Sequence, residues 1–330
     1  MDYAPQVAFI VGMARAGTTW MMNSLNMHPE IVAFGETAYF GANWHEPDLN
    51  GEYGTEHLRK VKAYLKQVNM HTCYEGEEGG IVGLTPDTQA RIVEKAFDEL
   101  PSGVTPGQVF LKFASAIQGI SGKALVVEKT PHHINWIDRI LTSFPEAKFI
   151  CMLRDPYEFM LSYKHQPGTS EESRRYFERI YHPLGAAVVA RGYYKAADKL
   201  EKLPNQQRMF VRMEDIREDP KDVMCRAIKF LGHSVPASYA PSSQRLSSFN
   251  RRNAMSASHN HRLETEDIYW MNLIAGSEIR ASGYNLLTQK TNPLRIFTSY
   301  AQLPFWGIGT MQRFRRRIGR SWIKYLLRWV

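Results

Sequence analysis

Cysteine is scarce in this chain, and acid is missing from one end of it. The 330 residues include three cysteines, Cys73, Cys151 and Cys225. They are far apart and lack metal-ligand spacing, which argues against a metal module and fits a reducing, cytoplasmic compartment. Cys151 lies in an apolar run and is expected in the core. Ahead of the first apolar run, residues 1–5 carry neither a basic stretch nor an apolar segment, so no signal peptide is expected. No stretch reaches the length of a clean transmembrane helix. Residues 281–330 hold nine Lys or Arg and no Asp or Glu. Residues 1–280 are left with 32 basic against 33 acidic side chains, so the net charge of +8 belongs to the C-terminal segment. A neutral body argues against a general nucleic-acid-binding surface.

The chain does have apolar runs of strand length, each followed by a helix-like segment. Val7–Val11 precedes Thr18–Met27, and Lys123–Val127 precedes His132–Phe144. Lys148–Leu153 precedes Tyr157–His165. Arg208–Met213 precedes a helix expected to start at Asp219 and Pro220 and to run to Phe230. Such alternation predicts an α/β fold, a doubly wound parallel sheet flanked by helices. Residues 53–120 read as mostly helical, broken at Thr85-Pro86 and at Pro101-Ser102-Gly103, and 171–203 as a long helical stretch. Residues 234–261, rich in Ser, Asn, Pro and Arg, read as a loop.

Val7–Val11 feeds into Gly12-Met13-Ala14-Arg15-Ala16-Gly17-Thr18-Thr19-Trp20. The spacing Gly12-x4-Gly17 is that of a P-loop, with Thr19 in the Ser/Thr place but Thr18 where the lysine belongs. A strand-loop-helix of this kind aims backbone N–H groups and a helix dipole at one anion. A P-loop-like phosphate cradle without its lysine is poorly equipped to cut a β–γ phosphate bond, which disfavours the rival kinase reading. Arg15 returns a positive charge at a different angle. A second segment is Phe149-Ile150-Cys151-Met152-Leu153-Arg154-Asp155-Pro156. An arginine at the carboxyl end of a buried strand points to the crevice where doubly wound sheets bind ligands. Ser162, two turns into the next helix, is placed to join Arg154 on a second oxyanion. The structural alternative is an Arg-Asp pair that ties a strand end to a helix.

Together these segments resemble the sulfotransferases that use 3′-phosphoadenylyl sulfate (PAPS). Arg15, Ala16, Gly17, Thr18, Thr19 and Trp20 resemble that family's 5′-phosphosulfate loop, and Arg154 and Ser162 its 3′-phosphate pair. Glu128-Lys129-Thr130-Pro131 and Arg212-Met213-Glu214-Asp215-Ile216 match as well, so the resemblance spans about residues 5–285. It implies a sulfotransferase domain over 1–290, PAPS as co-substrate without a metal, a hydroxylated acceptor (lipid, glycan or small metabolite), and Trp20 stacked on adenine. Arg15, where many cytosolic members have lysine, is more like the carbohydrate and tyrosylprotein branches. Lys129 suits the bridging oxygen of the donor. For the base, Glu36 resembles the glutamate of the tyrosylprotein branch; His132 and His133 lie near the strand end where cytosolic members carry a histidine. Each also has a structural alternative, a surface ion pair or a helix cap. Arg251, with Arg245 and Arg252 beside it, stands where related enzymes close a late loop over the 3′-phosphate. Arg212, Glu214 and Asp215 read as a structural ion-pair cluster, and His28 and His71 as structural.

Residues 291–330 form a basic amphipathic tail. Between Gln312 and Val330, Phe314, Ile318, Trp322, Leu326 and Trp329 share one helical stripe, and Arg313, Arg317, Arg320, Lys324 and Arg328 another. This is the pattern of a helix lying on an anionic membrane surface, or of one packed on the body. A protein that kept the fold and lost the chemistry is a further alternative, opposed by Arg15, Lys129, Arg154 and Ser162.

Overall fold

The computed structural model describes residues 6–68, 85–98, 100–165, 180–241 and 263–318, together with Met70, Glu171, Arg175 and Tyr176. Arg245, Arg251, Arg252, Cys73, His71 and the tail beyond residue 318 lie outside the described residues. Contacts divide the chain into two compact units, Met1–Leu153 with Leu200–Arg245, and Arg154–Lys199 with Leu246–Val330.

The first unit is built on five strands, β1 (Gln6–Gly12), β2 (Ile31–Gly35), β3 (Leu125–Lys129), β4 (Lys148–Leu153) and β5 (Arg208–Arg212). They form a fully parallel sheet in the order β2-β3-β1-β4-β5. The fold is the expected doubly wound α/β sheet. Its helices are α1 (Thr18–Asn26), α2 (Thr55–Gln67), α3 (Pro86–Asp98), α4 (Pro106–Ser121) and α5 (Ile137–Ser143). α3 starts at Pro86, and Pro101-Ser102-Gly103 separates α3 from α4, as the sequence predicts. Thr105 caps α4 by accepting from the Gln108 amide, and Pro106 opens the first turn. Two expectations shift. β2 reads in the sequence as no more than a short apolar piece. β3 begins two residues later than expected and runs on to Lys129, which brings Glu128 and Lys129 into the sheet.

Core strands buried on both faces account for the unbroken apolar runs. Phe9 in β1 stacks on Phe149 of β4 at 5.8 Å and on Phe110 of α4 at 5.9 Å. Cys151 is buried, as expected, and burial pushes its thiol far above the ordinary range. Connections from β1 and β4 leave in opposite directions, to β2 and to β5, so the switch point of the sheet lies at the carboxyl ends of β1 and β4.

The second unit contains α6 (Pro156–Lys164) and α7 (Pro183–Leu200). In the first unit β5 is followed by α8 (Met213–Glu218) and α9 (Pro220–Leu231). Asp219 caps α9 and Pro220 is its first residue, as the sequence predicts. The chain ends with α10 (Thr265–Ala281) and α11 (Pro293–Ile318) in the second unit. There the buried Asp267 carboxylate accepts from Lys164 and from the Tyr181 hydroxyl, each at 2.6 Å. Residues 293–318 of the C-terminal segment thus form a helix that packs on its own unit. Trp306 donates to the Ile180 carbonyl at 3.1 Å, and Trp270 to the Ser299 hydroxyl at 2.9 Å.

Candidate active site

At the carboxyl end of β1, Arg15 sits at φ 69° and Gly17 at φ 81°, both in the left-handed region. Gly17 is the residue before α1, and a Cβ there would come within 2.7 Å of the Met213 sulfur. This turn throws the first amides of α1 forward. Gly17 gives them no side-chain cap, which leaves the helix end to an anion. Ala16, Gly17 and Thr18 are buried, and Arg15 and Thr19 are half-buried on the rim.

The end of β2 meets the end of β3 beside that loop. Gly35 pairs with Lys129 in register, and a Cβ on Gly35 would sit 2.1 Å from the Lys129 carbonyl oxygen. Only glycine permits this approach, and it brings the next residue, Glu36, alongside the lysine. Lys129 Nζ donates to Glu36 Oε1 at 2.5 Å and lies 3.5 Å from Thr19 Oγ1. The lysine side chain is 5% exposed and the glutamate 49% exposed. A cation, a carboxylate with one side open to solvent, and a phosphate-loop hydroxyl therefore gather at one place.

What holds Glu36 there is a buried network behind it. The fully buried Glu128 accepts through Oε1 from the Thr37 amide at 3.1 Å, the Thr37 hydroxyl at 2.7 Å and the Thr130 hydroxyl at 2.6 Å. The Ala38 amide donates to the Thr130 hydroxyl at 3.1 Å. The other carboxylate oxygen faces His133 Nδ1 at 3.0 Å, with poor hydrogen-bond alignment. His133 Nε2 accepts from the Phe40 amide at 3.2 Å, which puts the ring proton on Nδ1, toward Glu128. Burial pushes the Glu128 carboxyl up. The His133 ring and the two hydroxyls more than offset that, and the group is held below the ordinary carboxylate range. The segment Glu36–Phe40 is thereby tied to the end of β3. His133 Nε2 is taken by the Phe40 amide, Nδ1 faces Glu128 without an aligned hydrogen bond, and the ring is fully buried. His132 is half-buried in the 3-10 helix Pro131–Trp136 that follows β3.

Arg154 follows β4 directly and belongs to the second unit. Its guanidinium donates to Glu158 Oε2 at 3.0 and 3.2 Å, one helical turn along. Asp155 caps α6 by accepting from the Tyr157 and Glu158 amides, each at 2.9 Å. Ser162 lies on α6 and is half-buried. Trp20 is 2% exposed, with its indole nitrogen unpartnered among the described residues, so adenine stacking would require a change in what covers the ring. The Asp215 carboxylate accepts from the Arg212 amide at 3.4 Å, a helix-start role. His28 uses both ring nitrogens, on the Glu30 amide and the Ser234 carbonyl.

A sequence model of the sulfotransferase family matches residues 6–237. The chain belongs to the sulfotransferase family. It is 27% identical over 241 residues to the nodulation protein NoeE of Sinorhizobium fredii, covering 69% of this chain and 50% of that protein. The chain thus spans about half the length of the curated relative. Among solved structures, the sulfotransferase domain of the Synechococcus PCC 7002 olefin synthase superposes with a TM-score of 0.56 at 15% identity, over 87% of this chain and 98% of that one. The sulfotransferase domain of the curacin biosynthetic pathway gives 0.53 at 16% identity, over 86% and 99%. These two show the fold. In this chain the sequence signals for Lys129 and the β1 loop are local. The roles of Glu128, Thr37 and His133 depend on strand pairing, and their one signal is the Glu-Lys-Thr-Pro run. Glu158 has a plainer signal, an acid four residues after an arginine at a helix start.

Proposed function

We propose that this sulfotransferase moves a sulfuryl group from PAPS to a hydroxyl of a lipid, glycan or small metabolite. The observation that carries the reading is the meeting of Lys129 with Glu36 and Thr19 beside the β1 loop. The α1 amides and Arg15 suit the 5′-phosphate. The family resemblance gives the 3′-phosphate to Arg154 and Ser162, with Arg251 from the late polar loop. In the reaction the acceptor oxygen attacks sulfur in line, and the bond from sulfur to the phosphate oxygen breaks. Glu36 takes the acceptor proton, and adenosine 3′,5′-bisphosphate departs. Lys129 steadies negative charge on the bridging oxygen as that bond lengthens. Glu36 is the favoured base over His132, because its carboxylate shares the place of the lysine and is open on one side. The leaving phosphate is already a good one, so the chemistry calls for no metal.

Calorimetric titration with adenosine 3′,5′-bisphosphate and with ATP tests this. Tighter binding of the bisphosphate supports the reading, and preference for ATP with magnesium overturns it in favour of a kinase. We also assign the basic C-terminal segment to an anionic membrane surface, which makes the enzyme a peripheral one. The support is the sequence charge split, since each basic residue near such a surface contributes about 1 kcal/mol. No helix among the described residues is long and apolar enough to cross a membrane.

A further inference from the structure

The described part of α11 has two opposite faces. Ser299, Leu303 and Trp306 lie on one. Ser299 is buried against Trp270 and His182, and Trp306 bonds to the Ile180 carbonyl. On the other face Leu294, Phe297, Ala301, Phe305 and Ile308 recur at spacings of three and four, which makes one stripe on a helix. Leu294 is 70% exposed, Phe297 70%, Phe305 82% and Ile308 54%. Single exposed apolar residues need no explanation, but a row of them directly opposite a packed face does. The stripe spans about 21 Å along the axis at 1.5 Å per residue.

We propose that this outer face of α11 enters the headgroup region of an anionic membrane, with the second unit mounted on its inner face. The proposal rests on the membrane reading of the basic segment and adds where apolar contact is made and which way the unit faces. Charge selects the occupant. Arg313 and exposed Arg315 follow the stripe, and no acid occurs from residue 281 to the end of the sequence. Arg295, beside the stripe, is paired with Glu264. A second copy laid across the same face would bring like charges together, whereas anionic lipid neutralises them. Thr298 and Gln302, both exposed within the helix, suit a position on the surface, half in and half out.

The test is flotation of the full chain with vesicles of phosphatidylcholine alone and with added phosphatidylglycerol, at low and high salt. Compared are the parent, a Phe297→Ser/Phe305→Ser variant and an Arg315→Gln/Arg316→Gln/Arg317→Gln variant. The two phenylalanines project outward, and circular dichroism checks that the fold is kept. The serine variant should lose about tenfold or more in partitioning to the anionic vesicles. Part of the parent's binding should survive high salt, because apolar insertion is not screened. Unchanged partitioning of the serine variant, with binding lost in the glutamine variant, overturns the face and leaves the charge reading standing. No binding by the parent overturns both. A parent that is dimeric without lipid, and monomeric once the phenylalanines are replaced, overturns the lipid assignment in favour of a second copy.

Discussion

Lys129 and Arg154 both stand at the carboxyl end of a parallel strand, and both are held by a glutamate, yet the two pairs are made differently. Arg154 reaches an acid in the first turn of the helix that follows it, four residues away. Lys129 meets an acid 93 residues distant in sequence, brought to it by the pairing of β2 with β3 and fixed by hydrogen bonds to Glu128. A local pair forms whenever the helix forms and changes partners at small cost. A pair supported by a buried network holds its geometry, as a site that must place a base and a cation together requires. The proposed function gives anion binding to the local pair and chemistry to the one built by the fold.

Substitutions that separate binding from chemistry sharpen this contrast. The largest effect is expected from Glu36→Gln, which keeps the shape and removes the proton acceptor. Turnover should fall about 100-fold or more, while adenosine 3′,5′-bisphosphate binds as it does to the parent by calorimetry. His132→Ala should cost less, and the reverse order moves the base to the histidine. Arg154→Ala should act on binding. Loss of a charge-assisted hydrogen bond costs about 1.5–3 kcal/mol, an increase of roughly 10- to 100-fold in the bisphosphate dissociation constant. An unchanged affinity removes Arg154 from the phosphate site.

Glu128→Gln should destabilise the fold by about 1–3 kcal/mol, because the amide turns a donor toward His133 and leaves a buried polar group unsatisfied. It also bears on pH. The folded carboxyl of Glu128 is held below its ordinary 4.5, so its stabilisation is present above that value and is lost as pH falls through the depressed one. Thermal melts below about pH 4.5 should fall less steeply with acid in the Gln variant than in the parent. Parallel slopes would show that Glu128 plays no part in the acid response. The smallest effect is expected from Glu158→Gln. Without the Glu158 carboxylate competing, the bisphosphate should bind several-fold more tightly, and weaker binding would mean that the pair itself shapes the anion site.

The same contrast explains what was legible in the sequence. Asp219 and Pro220 announce the start of α9, and Thr85-Pro86 the break before α3, because caps and prolines act over a few residues. The β1 loop and Arg154 are readable for the same reason, as turn and strand-end chemistry is local. β2 is not readable, because five apolar residues carry no period that separates strand from helix. With β2 unread, nothing in the sequence says that Gly35 lies against Lys129 or that Thr37 reaches Glu128. His133 invites a catalytic reading, and only the fold shows that its ring is buried, with Nε2 accepting from the Phe40 amide. The C-terminal charge pattern is plain in the sequence, but the packing of Trp306 and Ser299 that turns one face of α11 outward is tertiary.

Transfer of radiolabelled sulfate from PAPS into fractionated cell extract, lipids separated from soluble material, tests the central claim most directly. The parent and the Glu36→Gln variant are compared at bisphosphate-verified site concentrations. The account predicts label in one acceptor fraction with the parent and about 100-fold less with the variant. Equal labelling by the two would contradict the pairing of Glu36 with Lys129 as the seat of the chemistry. No label in any fraction, together with preference for ATP over the bisphosphate, would contradict the donor itself.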